Sequence, residues 1–341
     1  MKYIITFLLL SIALQSQGQT ITNEEQSIKS IINAKAHYED GEFDTTISML
    51  GKLLNNRFSH LDKEDKIDAY ELLILCYLSI DYPEEAHKAV KEILKIDPLY
   101  KPNIYKNDNR LVALFDEYYT KPVYSVGIDG GINYPLINRM KQYSIVYNNG
   151  EAPDAYESKT GAQIGVNFEY RISERMWLRL ASVYQSSRYE HILYNVVNET
   201  INYKEALYYV NIPVSIKYYI FKNNFQPYFF AGGDLTYLSL AESTTFNKES
   251  TDIVNRNSLR NNLLPGLFGG IGIRYKYKIF SFSLDARYGY YFDNLNKTGT
   301  RYNDKINLYY YYYVDDDIKL NYFKLNAGIS VFFKYKIFRN K

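Results

Sequence analysis

The chain has 341 residues, a formal net charge of +2 and one cysteine, and 17% of its residues are aromatic. The nearly even charge balance gives no reason to expect a nucleic-acid partner, and a single cysteine excludes an internal disulfide. Tyrosine is unusually frequent, with 38 residues, and its side chain suits a boundary between apolar and aqueous surroundings. The length allows two or three domains.

The first twenty residues, MKYIITFLLLSIALQSQGQT, have the pattern of a secretory signal peptide. A charged start at Lys2 precedes an apolar stretch, and Ser16 and Gly18 fit the small residues that precede a cleavage site. A transmembrane helix is the weaker alternative, because about 20 apolar residues are needed to span a bilayer. The absence of a cysteine at the cleavage point argues against a lipid anchor there. The sequence therefore predicts a signal peptide over residues 1–18 and export of the rest.

A helical period follows, from about residue 22 to residue 118. In DAYELLILCYLSI the apolar residues recur at i, i+3, i+4, i+7 and i+8, which places them on one helical face. PEEAHKAVKEILKIDP has a similar stripe, with Pro83 at the helix start and Pro98 just past its end. Cys76 lies on an apolar face, so we interpret it as a core residue rather than a reactive thiol. Residues 19–119 are predicted to form a helical domain.

Two of these helical hairpins resemble tetratricopeptide repeats. GEFDTTISML and DYPEEAHKAV occupy equivalent places, and Pro98 falls at the proline that ends a repeat. Thr46 departs from the family, which normally has a small alanine there. The resemblance covers roughly residues 30–100 and implies either a partner-binding surface or a plain helical spacer. Residues 107–118 are predicted to form a closing helix.

After residue 120 the apolar period changes to two, which is the period of a β-strand. The last run, FKLNAGISVFFKYKIF, has an apolar residue at every second position from Phe323 to Ile337. This run is much longer than the usual strand of about 5–6 residues. Eight such segments are present: about 122–132, 162–171, 175–186, 205–220, 226–240, 265–277, 280–293 and 318–338.

The connections between these segments alternate in length. Long polar connections follow the odd segments, at about 133–161, 187–204, 241–264 and 294–317, whereas short links follow segments two, four and six. This asymmetry and an even strand number are typical of an outer-membrane β-barrel. A closed barrel also pairs every backbone polar group, as hydrocarbon requires. The fold class is therefore α+β in two domains: helical hairpins, then an eight-stranded antiparallel transmembrane barrel over residues 120–341.

Four of the strand segments have a more specific pattern: YYVNIPVSIKYYI, QPYFFAGGDLTYL, GLFGGIGIRYKY and FSLDARYGYYFDNL. With these segments the chain resembles the outer-membrane β-barrel family common in Bacteroidota, the PorT-like group. The resemblance covers about residues 122–338 and implies an outer-membrane protein, some of whose relatives serve secretion or gliding machinery. Pro213 lies inside a segment, where it predicts a local bulge. Glycines 232–233 and 269–270 are interpreted as strand glycines rather than phosphate loops, since no helix and lysine follow them.

An eight-stranded barrel has an interior that side chains fill. The inward positions predict a lumen of paired charges, with a narrow ion or solute path as the alternative. The candidate residues are Asp129, Glu169, Arg179, Lys217, Asp234, Arg274, Asp285, Arg287, Lys324 and Lys334.

Other groups allow more specific chemistry. His191, with Ser186, Ser187 and Glu190 nearby, suggests a hydrolase set, although adjacent residues in a strand alternate faces and no nucleophile motif surrounds either serine. Residues 315–317, three aspartates, are interpreted as a solvated loop, with binding of calcium or lipopolysaccharide-bridging cations as the alternative. The tyrosines at 309–313 fit an aromatic girdle. The remaining histidines have no metal-ligand spacing, and no cofactor is expected.

These patterns predict a non-enzymatic protein that contacts outer-membrane lipid through its barrel and binds a protein partner through residues 22–118 in the periplasm. Such a partner would belong to a secretion, gliding or envelope-assembly machine. A lipid-modifying hydrolase and a small-solute transporter are the alternatives.

Overall fold

The computed structural model describes residues 25–56, 61–143, 154–194, 199–247 and 251–340. The predicted signal peptide lies outside them. The described residues up to Lys121, together with those from Tyr335 onward, form one compact unit, and Pro122–Lys334 form a second. Among the described residues, no helix is both long enough and apolar enough to cross a membrane.

The first unit, here called the helical unit, contains five helices. Residues 25–39 are helical (α1), and the other helices are α2 (Phe43–Asn55), α3 (Lys63–Ser79), α4 (Pro83–Ile96) and α5 (Asn109–Asp116). The side chain of Asp62 accepts the backbone N–H of Asp65, which caps α3. Proline occupies the first turn of α4, where its missing N–H costs nothing.

The apolar stripes of these helices meet in one core. Leu50, Leu73, Val90, Ile93 and Leu111 are among its buried residues, and Cys76 is buried as predicted. Thr46, at the position where the repeat family has alanine, is fully buried, and its hydroxyl donates to the carbonyl oxygens of Ala34 in α1 and of Glu42, the N-cap residue of α2. The described helices therefore follow the predicted hairpin plan.

The second unit, here called the barrel unit, is built almost entirely of antiparallel strands. The strands are β1 (Tyr118–Lys141), β2 (Asp154–Lys159), β3 (Gly161–Arg171), β4 (Met176–Tyr194), β5 (Thr200–Tyr219), β6 (Phe225–Phe246), β7 (Thr251–Asn255), β8 (Leu263–Tyr277), β9 (Phe280–Tyr291) and β10 (Asp317–Arg339). A short helix, α6 (Lys305–Tyr310), lies between β9 and β10.

Eight of these strands form a closed ring. The order is β1–β3–β4–β5–β6–β8–β9–β10, and β10 pairs with β1 to complete it. The eight segments predicted from the sequence are these eight strands. The short strands β2 and β7 add to the ring at β4 and β6, respectively. A ring of this kind leaves no strand edge in the band where all eight strands pair.

The strands are longer than predicted at one end of the barrel. We call this the long-loop end; there the chain passes from β1 to β3, from β4 to β5, from β6 to β8 and from β9 to β10. The predicted loop 187–204 is mostly wrong, because β4 runs to Tyr194 and β5 starts at Thr200. The tight links at the opposite end, the short-turn end, are confirmed, at 172–175, 220–224 and 278–279. Backbone hydrogen bonds to neighbouring strands allow polar stretches to continue as strands. Such stretches have no hydrophobic alternation from which a strand could be predicted.

The side chains alternate between two environments along the ring. The inward positions are largely polar or aromatic and buried, whereas the outward positions are apolar and exposed. We call these outward residues the apolar band. In a membrane the hydrocarbon removes their side chains from water, as burial in a core does in a soluble protein. The band includes Val126, Ile128, Ile164, Val166, Leu178, Leu180, Ile212, Val214, Ile216, Phe229, Leu235, Leu267, Ile271, Phe282, Leu284, Phe323, Leu325, Ile329 and Val331.

Two backbone details refine the sequence expectations. Pro213 does not produce the predicted bulge: it keeps its place opposite Asp234 on β6, and the register shift between these strands lies at Tyr208 and Tyr209. Proline has no N–H, and both Pro213 and its neighbour Ile212 are missing from the ladder with β4, whose register is the same on both sides of them. Gly270 faces the crowded interior, where a Cβ would collide with the ring of Phe230, as expected for a strand glycine.

The barrel interior and the long-loop end as candidate functional sites

Glu169 is the centre of the charges in the barrel interior. It is 1% exposed, and its carboxylate accepts hydrogen bonds from Lys217 at 2.7 Å and from Arg274. The guanidinium of Arg179 lies 3.8 Å away, and Ser125 Oγ donates at 3.5 Å. These partners come from four strands other than β3, which carries Glu169, so the ring brings together residues that are far apart in the sequence.

Two aspartates extend this network. Asp129 pairs with Arg179 and accepts a hydrogen bond from Asn167 Nδ2 at 2.7 Å. Asp285 accepts hydrogen bonds from Tyr228 OH at 3.2 Å and Asn326 Nδ2 at 2.9 Å. Every acid is therefore met by a cation or a donor, which is the condition for burying a charge at acceptable cost.

Lys324 and Arg287 also point inward but are held differently. They lie directly opposite each other on β10 and β9, and neither has an ion-pair partner among the described residues. Lys324 Nζ donates to Gln185 Oε1 at 2.6 Å, and Arg287 lies over the ring of Phe268, 4.3 Å from its centroid. Cation–π contacts and amide acceptors thus take the place of carboxylates here.

Lys334 is not part of this network, so the sequence prediction is wrong for this residue. Its side chain is exposed, and its nitrogen lies 5.7 Å from the ring centroid of Tyr124. The backbone at Lys334 has a φ of 53°, which breaks the strand alternation on which the prediction depended. Asp234, the remaining candidate, is buried and accepts a hydrogen bond from Tyr322 OH at 2.6 Å.

The interior leaves little free space. The cavity lined by Asp129, Arg179, Arg287 and Lys324 has a volume of about 10 Å³, roughly what one water molecule needs. An interior filled in this way matches the side-chain plug expected of a small barrel.

A second buried charge cluster lies at the long-loop end, and the sequence analysis missed it. We call it the long-loop cluster: Glu205, Arg256, Arg260, Asp304 and Asp315. Arg260 makes two hydrogen bonds to Glu205, at 2.7 and 2.6 Å, and a third to Asp315 at 2.8 Å. Arg256 pairs with Asp304 at 2.6 Å. Four of the five residues lie in stretches interpreted as loops, where a charge gives no signal of burial.

This arrangement corrects the interpretation of the aspartate triplet. Asp315 and Asp316 are buried rather than solvated, and no group of three or more potential metal ligands occurs among the described side chains. Burial by itself raises the pKa of Asp315, but Arg256 and Arg260 outweigh it and lower the pKa to about 2. Asp316 accepts a hydrogen bond from the backbone N–H of Tyr143 at 2.7 Å. The triplet therefore holds loops in place.

The proposed hydrolase set does not assemble through the hydrogen bonds of the described residues. His191 Nε2 lies 2.9 Å from Asp154 Oδ1, and its Nδ1 lies 3.3 Å from Tyr313 OH. Ser186 Oγ instead contacts the backbone of Ala162. Glu190 faces outward and pairs with lysines. His191 is therefore held between an acid and a phenol at the long-loop end.

The tyrosines at 309–313 are not a girdle on a strand. They lie in α6 and the residues after it, where Tyr311 and Tyr313 are buried and Tyr309, Tyr310 and Tyr312 are exposed. Tyr313 stacks on Tyr203, with ring centroids 4.6 Å apart. Tertiary contacts thus bury two of the five tyrosines and leave the other three exposed to the surroundings.

Comparison with known families agrees with this architecture. Residues 123–298, just over half of the chain, match the family described as outer membrane protein beta-barrel domain. The chain belongs to this family. It is thus an outer-membrane β-barrel protein, in agreement with the coarse form of the sequence prediction. No curated protein matches the chain.

Several solved barrels are similar to it. Neisserial surface protein A is 15% identical, with a TM-score of 0.31, and the match covers 63% of this chain and 99% of that one. OprG from Pseudomonas aeruginosa is 14% identical, with a TM-score of 0.34 and coverage of 64% and 97%. Ail, the attachment invasion locus protein of Yersinia pestis, is 12% identical, with a TM-score of 0.28 and coverage of 62% and 99%. Scores this low support no inference about activity.

Proposed function

We propose that the barrel anchors this chain in the outer membrane, while the helical unit, on the periplasmic side, binds a protein partner. The observation that carries the proposal is the crowded interior, where the cavity lined by Asp129, Arg179, Arg287 and Lys324 has a volume of about 10 Å³. A barrel of this kind is suited to anchoring rather than to transport. The tetratricopeptide-like and PorT-like resemblances are consistent with a role in envelope assembly, secretion or gliding.

Chain topology supports the periplasmic placement. β1 begins two residues after α5 ends, and β10 ends at Arg339. With eight ring strands, the start of β1 and the end of β10 both lie at the short-turn end. In outer-membrane barrels the short turns face the periplasm, and the proposed signal peptide would deliver the chain to that compartment first.

The helical unit exposes apolar side chains that would serve partner binding. Ile32 is 61% exposed on α1, and Ile104 and Tyr105 are 61% and 90% exposed between α4 and α5. The segment that carries the last two is held in shape: Asn103 Oδ1 accepts the Tyr105 N–H at 2.9 Å, and Asn107 Nδ2 donates to Glu71 at 2.8 Å. An ordered tip with a tyrosine is typical of an interface hot spot.

Site-specific photocrosslinking in cells tests the proposal. A photoreactive residue at Tyr105 or Ile32 is expected to capture one reproducible protein, whereas the same residue at Ile253, an exposed site on β7, captures a different set or none. Loss of the Tyr105 adduct on the additional change Ile104→Asp, with unchanged barrel insertion, would identify the contact surface. Uniform capture from all three positions would contradict specific docking.

Conductance measurements separate this proposal from the transporter alternative. The purified full-length chain in planar bilayers is expected to give no stable current, because buried side chains around Glu169 occupy the interior. Reproducible channel openings that survive in samples free of other porins would overturn the anchoring role of the barrel.

A further inference from the structure

The connection between β9 and β10 presents a tyrosine-rich surface that no role above uses. We call it the tyrosine face: Tyr302, Ile306, Tyr309, Tyr310 and Tyr312. Its tyrosines are 46–74% exposed, and Ile306, Tyr309 and Tyr310 share one side of α6 through i, i+3 and i+4 spacing. Clusters of exposed aromatic residues on a surface that faces water usually mark a binding site.

The tyrosine face lies beyond the apolar band, so it is not explained by contact with hydrocarbon. The buried neighbour Tyr313 stacks on Tyr203, which lies opposite His191 in the β4–β5 ladder. At that level the outward positions of the same strands hold Glu190 and Lys204, which pair at 3.1 Å. Charged outward residues indicate water rather than acyl chains.

The segment beneath the tyrosine face is rigidly anchored. Asp304 caps α6 by accepting the Asn307 N–H at 3.0 Å, and the same carboxylate pairs with Arg256 at 2.6 Å. Tyr311 is fully buried and donates to Asp252 on β7 at 2.8 Å. Tyrosines on a fixed backbone lose little entropy on binding, because each side chain has only two χ angles, and this favours recognition.

The backbone conformation of Tyr312 also supports a binding role for the tyrosine face. Tyr312 directly follows Tyr311, the C-cap residue of α6, and has a φ of 51°. This left-handed position after a helix normally holds glycine. The sequence instead places there a side chain that is 46% exposed and adds a ring to the surface.

The exposed charges of the connection between β9 and β10 indicate the charge of the ligand that it would bind. Lys297, Lys305 and Asp293 are exposed, whereas Asp304, Asp315 and Asp316 are buried. The exposed charges of the connection, residues 292–316, therefore sum to a positive value. Aromatic rings stack on the C–H faces of sugar rings, and phenol and ammonium groups donate hydrogen bonds to hydroxyls and carboxylates. We propose that the tyrosine face binds an acidic polysaccharide outside the cell. This inference rests on the proposed orientation of the barrel but not on partner docking.

Binding is tested with the full-length chain in nanodiscs, and oligogalacturonate is the acidic probe. Calorimetry is expected to show oligogalacturonate binding that a neutral dextran oligomer of equal length does not reproduce. The double substitution Tyr309→Ser with Tyr310→Ser should weaken it roughly tenfold or more, as expected on truncation of two aromatic interface anchors. Tyr82→Ser, the same change at an exposed tyrosine of the helical unit, should leave it unchanged.

Two further variants keep the test decisive. Tyr312→Gly suits the left-handed backbone, so it should preserve the fold while weakening binding, and Lys305→Gln should reduce the salt dependence of the affinity. Absent or dextran-like binding, or full affinity in the double variant, would overturn the proposal. Binding to lipopolysaccharide vesicles without binding to free oligogalacturonate would also overturn it, by assigning the surface to the outer leaflet of the cell itself.

The orientation of the barrel in the membrane is tested by a separate experiment. The native thiol, Cys76, is buried in the helical unit, so Lys305→Cys provides a unique accessible thiol. An impermeant maleimide is expected to label this variant in intact cells. Labelling only after cell lysis would overturn both this inference and the periplasmic placement, whereas labelling without sugar binding would overturn this inference alone.

Discussion

Replacing Glu169 with glutamine tests whether the charge network holds the barrel together. The substitution keeps the shape of the side chain but removes its negative charge. Among the described residues, Glu169 is the one acid that ion-pairs with Lys217 and Arg274, so both cations would lose their partner inside the barrel. Their burial, with each residue at most 3% exposed, leaves no water to replace it.

The expected cost follows from the contacts. Two charged hydrogen bonds of about 1.5–3 kcal/mol each are weakened, and loss of one member of a buried ion pair typically costs about 3–5 kcal/mol. Arg274 keeps its contact with the ring of Tyr219, 4.6 Å from the centroid, which places the estimate for Glu169→Gln toward the lower end, about 3 kcal/mol.

Urea unfolding in lipid vesicles, followed by the mobility shift of folded barrels on gels, measures this cost. Glu157→Gln is the matched control, since Glu157 makes an exposed pair with Lys159 on β2, and no resolvable change is expected. Adding Lys217→Met to Glu169→Gln should recover part of the loss by removing one unpaired cation. Wild-type stability of Glu169→Gln, or further destabilisation in the double variant, would refute the reasoning.

Three other outcomes are expected. Ile329→Lys on the apolar band should lower the stability in vesicles by about 2–4 kcal/mol, whereas Ile253→Lys on β7 should not; equal effects would contradict the position of the band. The folded pKa of Asp315 is about 2, against 3.8 as the reference, so its contribution of ~2 kcal/mol is present above about pH 4 and lost toward pH 2. Near-ultraviolet circular dichroism of the tyrosines should follow this loss, and Asp315→Asn should abolish the acid transition. Burial and then Arg339 lower the pKa of His87, so the unfolded chain takes up the proton first as the pH falls below about 6.5. The melting temperature of the helical unit should fall there, and a profile unchanged by His87→Asn would contradict this origin.

Much of the barrel was predictable because lipid imposes a strict rule. Outward side chains such as Ile212 and Leu284 must be apolar, and inward ones such as Glu169 need not be, so the alternation appears directly in the sequence. The same rule failed at Lys334, where a left-handed backbone interrupts the strand. It was also silent at Arg260, because residues 241–264 were interpreted as a loop, where a charge gives no signal of burial.

The sequence by itself determined the helical stripes, the eight spanning strands and the parity of their connections, because each depends on a local period and on the solvent that a side chain meets. Only the tertiary structure decided which charges become partners. Glu169 meets Lys217 and Arg274 across the closed ring, and Arg260 meets Asp315 across two loops. Ring closure and loop packing bring distant residues within bonding distance, and no local pattern records those distances.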